Sequence, residues 1–197
     1  MDTIKAEFGG LFMANLITFD KPADWKRIKP DHYADFSIVN NEYTPCEYGY
    51  AIANEQKSYD VVSIFNYGPV GAEFLKELKA QLDSFSEDNS AVSDINDYIK
   101  ENADGYAVTK TDFIRPLFYK KGKLLDKQCF INIMQIKTNV TTSYSLQIFV
   151  EIGENLYCLT TSAKECDEKK PLESLIKDNK YIDDMINVVF KTMREKV

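Results

Sequence analysis

One histidine, His32, and four cysteines, Cys46, Cys129, Cys158 and Cys166, are the whole thiol and imidazole stock of this 197-residue chain. The chemistry open to them is a Cys–His nucleophile pair. That needs the imidazole within hydrogen-bond reach of a thiol whose pKa has been lowered. His32 stands in Lys29-Pro30-Asp31-His32-Tyr33, a polar, turn-like stretch that suits an exposed loop better than a buried dyad. A zinc site asks for four converging ligands, usually supplied as local pairs, and no CxxC or similar spacing occurs. GxSxG and HExxH are absent, and the acidic residues include no DxDxDG calcium loop. Gly68-Pro69-Val70-Gly71 before a helical pattern has the outline of a phosphate-binding turn. Pro69 removes an amide donor there, no Lys-Ser/Thr follows, and Glu73 repels an anion. No catalytic residue, metal ligand or cofactor-binding residue is assigned, no cofactor is expected, and enzymatic activity is left open.

Recognition is the chemistry the remaining residues can do. Tyr43, Tyr48, Tyr50, Tyr59 and Tyr67 fall within a short window of expected strands. Tyrosine buries a large ring at low entropic cost and keeps a hydroxyl for hydrogen bonding, so it anchors binding patches; it is also a good strand former. The net charge of −7 is concentrated: Asp83 to Asp104 holds seven acids and one base. Lys110 to Lys127 then carries six bases, among them Lys120, Lys121 and Lys123, against Asp112 and Asp126. An acidic ridge beside a basic hairpin can orient a polar protein partner, or can simply be solvated surface. Tyr43, Tyr48, Tyr50, Tyr67, Lys120, Lys121 and Lys123 are the candidate interaction residues. The acidic balance disfavours a nucleic-acid footprint.

The elements that must hold these residues show first in the second half. Tyr144, Leu146, Ile148, Val150 and Ile152 alternate with Ser143, Ser145, Gln147 and Glu151, a strand with one buried face. Phe149 is the only large apolar residue on its other face. Cys129–Ile136 is apolar on both faces, as a central strand should be, and Leu156–Thr161 follows a Gly153-Glu154-Asn155 turn. Three antiparallel strands in a meander are expected. Beyond them, Pro171 suits a first helical turn with Asp167 and Glu168 at its positive end. Ile182, Met185, Ile186, Val189, Phe190 and Met193 line one face of an amphipathic C-terminal helix expected to pack on the sheet.

In the first half, strands are expected at Leu11–Phe19, Tyr33–Val39, Tyr48–Asn54 and Val61–Tyr67, then a helix carrying Phe74, Leu75, Leu78 and Leu82. A weaker helix is expected over Ser90–Asn102, then strands at Tyr106–Arg115 and Leu117–Tyr119 ahead of a Lys121-Gly122 turn. Strands, helices, strands and a helix in that order predict one α+β domain over residues 1–197, a largely antiparallel β-sheet packed by helices. No run approaches the roughly 20 apolar residues of a membrane-spanning helix. Without a leader pattern or a disulfide framework, a cytoplasmic protein is expected; a secreted or lipid-anchored one is the alternative had a leader preceded Met1.

Lys21-Pro22-Ala23-Asp24-Trp25 supplies a Pro-x-x-Trp after an apolar strand, and the chain closes on strand–strand–strand–helix with Phe190 in the helix. Together these resemble the PsbP-like α/β/α sandwich superfamily, at the ends of the chain and not over Ser84–Tyr119. The resemblance implies a binding module: members include a photosystem extrinsic subunit, a Ran-binding import factor, bacterial lipoproteins and secretion adaptors. The leading expectation is a non-enzymatic protein-binding module (adaptor, chaperone or immunity-type partner) acting through a sheet face and charged flanks. The alternatives are a ligand-binding protein or small-molecule enzyme with an aromatic pocket, and an envelope-associated domain.

Overall fold

Period-two alternation divides the side chains of Thr142–Ile152 between two faces of a sheet, and helices cover both. The computed structural model describes residues 17–28, 34–37, 42–53, 59–69, 71–84 and 111–196. In chain order they form β1 (Ile17–Thr18), β2 (Lys26–Ile28), β3 (Ala34–Ser37), β4 (Glu42–Ala53), β5 (Tyr59–Asn66), α1 (Gly71–Ser84) and β6 (Thr111–Leu124). Then follow β7 (Lys127–Thr138), β8 (Thr142–Ile152), β9 (Asn155–Ala163), α2 (Pro171–Asp178), α3 (Lys180–Asp184) and β10 (Arg194–Glu195). The eight-stranded sheet runs β2-β4-β5-β9-β8-β7-β6, with β3 also on β4, and its pairings are antiparallel. The fold class is α+β with a largely antiparallel sheet. β1 and β10 pair in a separate ribbon that brings the two ends of the described chain together.

Each face has its own core. Val62, Ile64, Ile131, Ile133, Leu146, Ile148 and Leu159 point to the C-terminal helices, where Ile182, Met185, Ile186, Val189, Phe190 and Met193 are all buried. The expected apolar stripe is thus the packing face. Its backbone departs from expectation: α3 continues as a π-helical turn over Met185–Phe190. The other face carries Phe65, Phe130, Phe149, Leu156 and Cys158 beneath Phe74, Leu78 and Leu82 of α1. Trp25 is 2% exposed within the first core. Its amide donates to the Pro22 carbonyl at 3.2 Å, and Lys21 Nζ donates to the Trp25 carbonyl at 2.8 Å, which fixes the Pro-x-x-Trp turn.

The β7–β8–β9 meander matches the sequence reading; β6 does not. No turn forms at Lys121-Gly122, because Lys120–Leu124 pairs without a break with Lys127–Ile131. The chain reverses at Leu125-Asp126, where Leu125 takes φ 53°. Pro116, expected to end a strand, is absorbed by a register shift between Pro116 and Phe118, the kind of bulge that tolerates a missing ladder donor. Glu168 is not spent on the helix dipole. Its carboxylate accepts from Arg115 Nη2 at 2.6 Å and Gln135 Nε2 at 2.8 Å, so it pins the segment before α2 to the sheet. Lys127, just after the reversal, caps the C-terminal helix by donating to the carbonyls of Phe190 at 2.5 Å and Lys191 at 2.7 Å. The expected Ser90–Asn102 helix, the start of Tyr106–Arg115 and His32 lie outside the described residues.

Candidate functional site

Strand register places Lys121, Phe130, Phe149, Cys158 and Phe65 in one transverse row on the α1 face, a cation at the β6 end and apolar groups inward. Phe149 centres that row. Its ring lies 6.0 Å from Tyr67, 5.9 Å from Phe74 and 6.3 Å from Phe130, in tilted and edge-on geometries that suit aromatic quadrupoles. The adjacent row is polar: Tyr119, Asn132, Gln147, Thr160 and Ser63. Asn132 Nδ2 donates to Gln147 Oε1 at 2.9 Å, while Asn132 Oδ1 is buried and accepts no hydrogen bond.

α1 is tied to the outer strand by a three-residue latch. Lys79 Nζ pairs with Asp83, four residues on, and Tyr119 Oη donates to Asp83 Oδ1 at 2.9 Å. The hydrogen bond from Lys79, then that from Tyr119, holds the Asp83 carboxyl below its ordinary range. The same bond from Tyr119 raises the phenol's pKa, because Asp83 stabilises the protonated donor. Next to the latch, a cleft of about 650 Å³ opens between the helix and the sheet. Ala72, Leu75, Lys76 and Lys79 form the α1 wall, and Lys121 and Gln128 stand opposite. Phe130 and Phe149 form the bottom, and Glu151 lies at one side. The two phenylalanines are buried, so Ala72, Leu75 and the lysine stems present the apolar walls. Among the described residues the ion pairs are Lys79–Asp83, Arg115–Glu168, Lys170–Glu173 and Lys180–Asp184, which leaves Lys76 and Lys121 without a carboxylate partner there.

The expected interaction residues do not form one patch. Lys121 and Lys123 pair with Phe130 and Gln128 and share the α1 face, whereas Lys120 pairs with Ile131 and belongs to the opposite face. Tyr67 is half-buried in the aromatic cluster, 4.9 Å from Phe74. Tyr43, Tyr48 and Tyr50 are in β4, opposite Phe36, Ile64 and Val62. Five strand spacings separate β4 from β6, roughly 24 Å at the usual inter-strand distance. Lys76 and Lys79 were not singled out from the sequence. Their signal was weak, two lysines and then Asp83 at helical spacing along the edge of the apolar face of α1.

Thiol chemistry finds no support at the described cysteines. Cys129 and Cys158 are buried and Cys166 is half-buried. Burial pushes the Cys129 thiol up, and burial followed by Glu168 and Asp167 pushes Cys166 up, away from the thiolate a nucleophile needs. The sequence also holds one serine–lysine spacing of the SxxK type, Ser174-Leu175-Ile176-Lys177. In α2 the Ser174 hydroxyl accepts from the Asp167 amide at 2.8 Å and donates to Asp178 Oδ2 at 3.2 Å. It is buried and committed to holding the helix start, while Lys177 is exposed. Among the described residues no helix is long and apolar enough to cross a membrane, and no group of three His, Cys, Asp or Glu residues could hold a metal ion. Compared with protein-family models and with curated proteins, the chain matches none.

Proposed function

We propose that the protein is a non-enzymatic, cytoplasmic protein-binding module of the adaptor, chaperone or immunity type. Its contact region is the cleft between α1 and the β6 side of the sheet. One observation carries this reading: Lys76 from a helix and Lys121 from a strand line one cleft with no carboxylate partner among the described residues. Both lysines are exposed and available to a complementary group, and like charge gathered at one cleft steers the association of an oppositely charged partner. β6 itself is a poor template for strand addition. Pro116, two register shifts and three lysines are the devices that keep an outer strand from pairing with another chain. A partner therefore engages through side chains in the cleft. Tyr43, Tyr48 and Tyr50, on β4, belong to the proposal as separate candidate contact residues.

Kinship with the PsbP-like superfamily is part of the same proposal, supported by the buried Trp25 after its proline turn and by helices on both sheet faces. A second reading, a small-ligand pocket, is favoured by the size of the cleft, which falls in the range of about 300–1,000 Å³ typical of ligand sites. Affinity purification under native conditions discriminates. The module reading expects one stoichiometric protein partner retained by the wild type, and the cleft assignment expects that partner to be lost by the Lys76→Glu/Lys121→Glu double variant. Recovery of a bound small molecule with no protein partner would favour the second reading.

A further inference from the structure

The lining of the cleft specifies its occupant more closely than its size does. Three lysines, Lys76, Lys79 and Lys121, face one glutamate, Glu151. Lys79 is already committed to Asp83, so the charge available to an incoming group is that of Lys76 and Lys121, on opposite walls. Between them the surface is apolar but shallow: a methyl from Ala72, one face of the half-buried Leu75 and the aliphatic stems of the lysines. The buried rings of Phe130 and Phe149 make this floor stiff, since each is held by neighbouring aromatics.

Resting on the protein-binding reading above, we propose that the cleft receives an acidic segment of a partner protein. One aliphatic or aromatic side chain of that segment rests on Ala72 and Leu75. Aspartate or glutamate residues beside it reach Lys76 and Lys121. Two cations on opposite walls match carboxylates that flank an anchor; a ligand with one anionic head engages only one wall. Glu151 and Gln128 occupy the remaining rim, where Glu151 repels a carboxylate and Gln128 can hydrogen-bond a peptide backbone. The segment therefore orients with its acids toward Lys76 and Lys121 and away from Glu151. A basic segment is repelled by the same pair of lysines and a neutral one gains no ion pair from them, so the cleft selects by charge as well as by shape.

A random twelve-residue peptide display library selected on the full-length protein, with counter-selection on Lys76→Glu/Lys121→Glu, tests this. Both substituted side chains are exposed, and circular dichroism and thermal melting verify that the double variant folds. The expected harvest has Asp or Glu within two positions of Leu, Ile, Phe or Trp. Fluorescence anisotropy of a selected peptide is expected to show at least a tenfold loss of affinity in the double variant, and a further fall with added salt. Recovery of peptides without acidic residues, or an affinity unchanged by the double substitution, overturns the proposal. Should a protein partner be retained equally by both proteins, the module reading stands and the cleft assignment fails. Decanoate binding that is lost in the double variant, with no peptide selected, overturns both.

Discussion

Phe149 shows how a single residue can carry information that alternation alone obscures. It sits on the face of β8 otherwise made of Ser143, Ser145, Gln147 and Glu151, so the sequence marks it as an exception without saying what it meets. In the fold it joins Tyr67, Phe74 and Phe130 in the only ring contacts found around it among the described residues. Phe149→Ala is expected to lower the stability of the protein by about 3–5 kcal/mol, as for other large-to-small core changes, measured by urea denaturation. A loss below about 1 kcal/mol would mean that the ring is not a core element. Thiol reactivity belongs to the same scale. Cys129 and Cys166 have pKa values raised chiefly by burial, so at neutral pH both should react with iodoacetamide more slowly than a free cysteine. Mass spectrometry reads each site directly, and fast labelling of Cys166 would contradict its assignment as an inert thiol.

At the scale of elements, local pattern revealed the strands with clean periodicity and failed where long-range pairing decides. The β7–β8–β9 meander and the buried stripe of the C-terminal helix follow from alternation and 3.6-residue spacing. The length of β6 does not. Glycine at 122 and proline at 116 read as breakers, yet pairing along β7 carries the strand through both, and a bulge accommodates the proline. The π-helical turn at Met185–Phe190 has no local signal either, since its apolar spacing also fits an α-helix. The latch joining α1 to β6 was equally illegible, because Asp83 and Tyr119 are 36 residues apart.

That latch has a pH signature. Asp83 is lowered from 3.8, so the stability it confers is present above that value and lost as pH falls through its depressed folded-state pKa. Tyr119 is raised from 10.0, so its contribution is present below that value and lost as pH rises through the elevated folded-state pKa. Asp83→Asn should bring the Tyr119 titration, followed by phenolate absorbance, down toward that of an ordinary tyrosine. An unshifted titration would show that the carboxylate does not hold the phenol. The cap on the C-terminal helix makes a second element-scale case. Lys127→Met keeps an unbranched apolar side chain and removes the ammonium that donates to the two carbonyls and lies 5.1 Å from the centre of the Phe190 ring. The expected cost is about 0.5–2 kcal/mol in denaturant unfolding, the range for a cation at a helix C-terminus.

Across the whole molecule, the charge map visible in the sequence acquires a geometry. The basic stretch from Lys110 to Lys127 is one feature in the chain but two in space, because alternation along β6 sends Lys120 to the face of the C-terminal helices and Lys121 and Lys123 to the face of α1. Tyr43, Tyr48 and Tyr50 are separated from them by the width of the sheet, a consequence of the β4-β5-β9-β8-β7-β6 order that no local pattern encodes. What the sequence could not show was Lys76 of α1 lining the same cleft as Lys121 of β6, since that depends on how the helix lies on the strands.

The adjacent pair Lys120 and Lys121 tests the binding account most directly. Both are exposed, both lie on β6, and each Lys→Glu substitution changes the net charge equally. Only Lys121 lines the cleft. Titration of a selected acidic peptide against the two single variants should show about a tenfold weakening for Lys121→Glu, or 1.4 kcal/mol, and less than about a twofold change for Lys120→Glu, as expected of a rim-distant charge in physiological salt. Equal losses in the two variants would contradict the account, because they would mean that the peptide senses the overall charge of the strand and not the cleft.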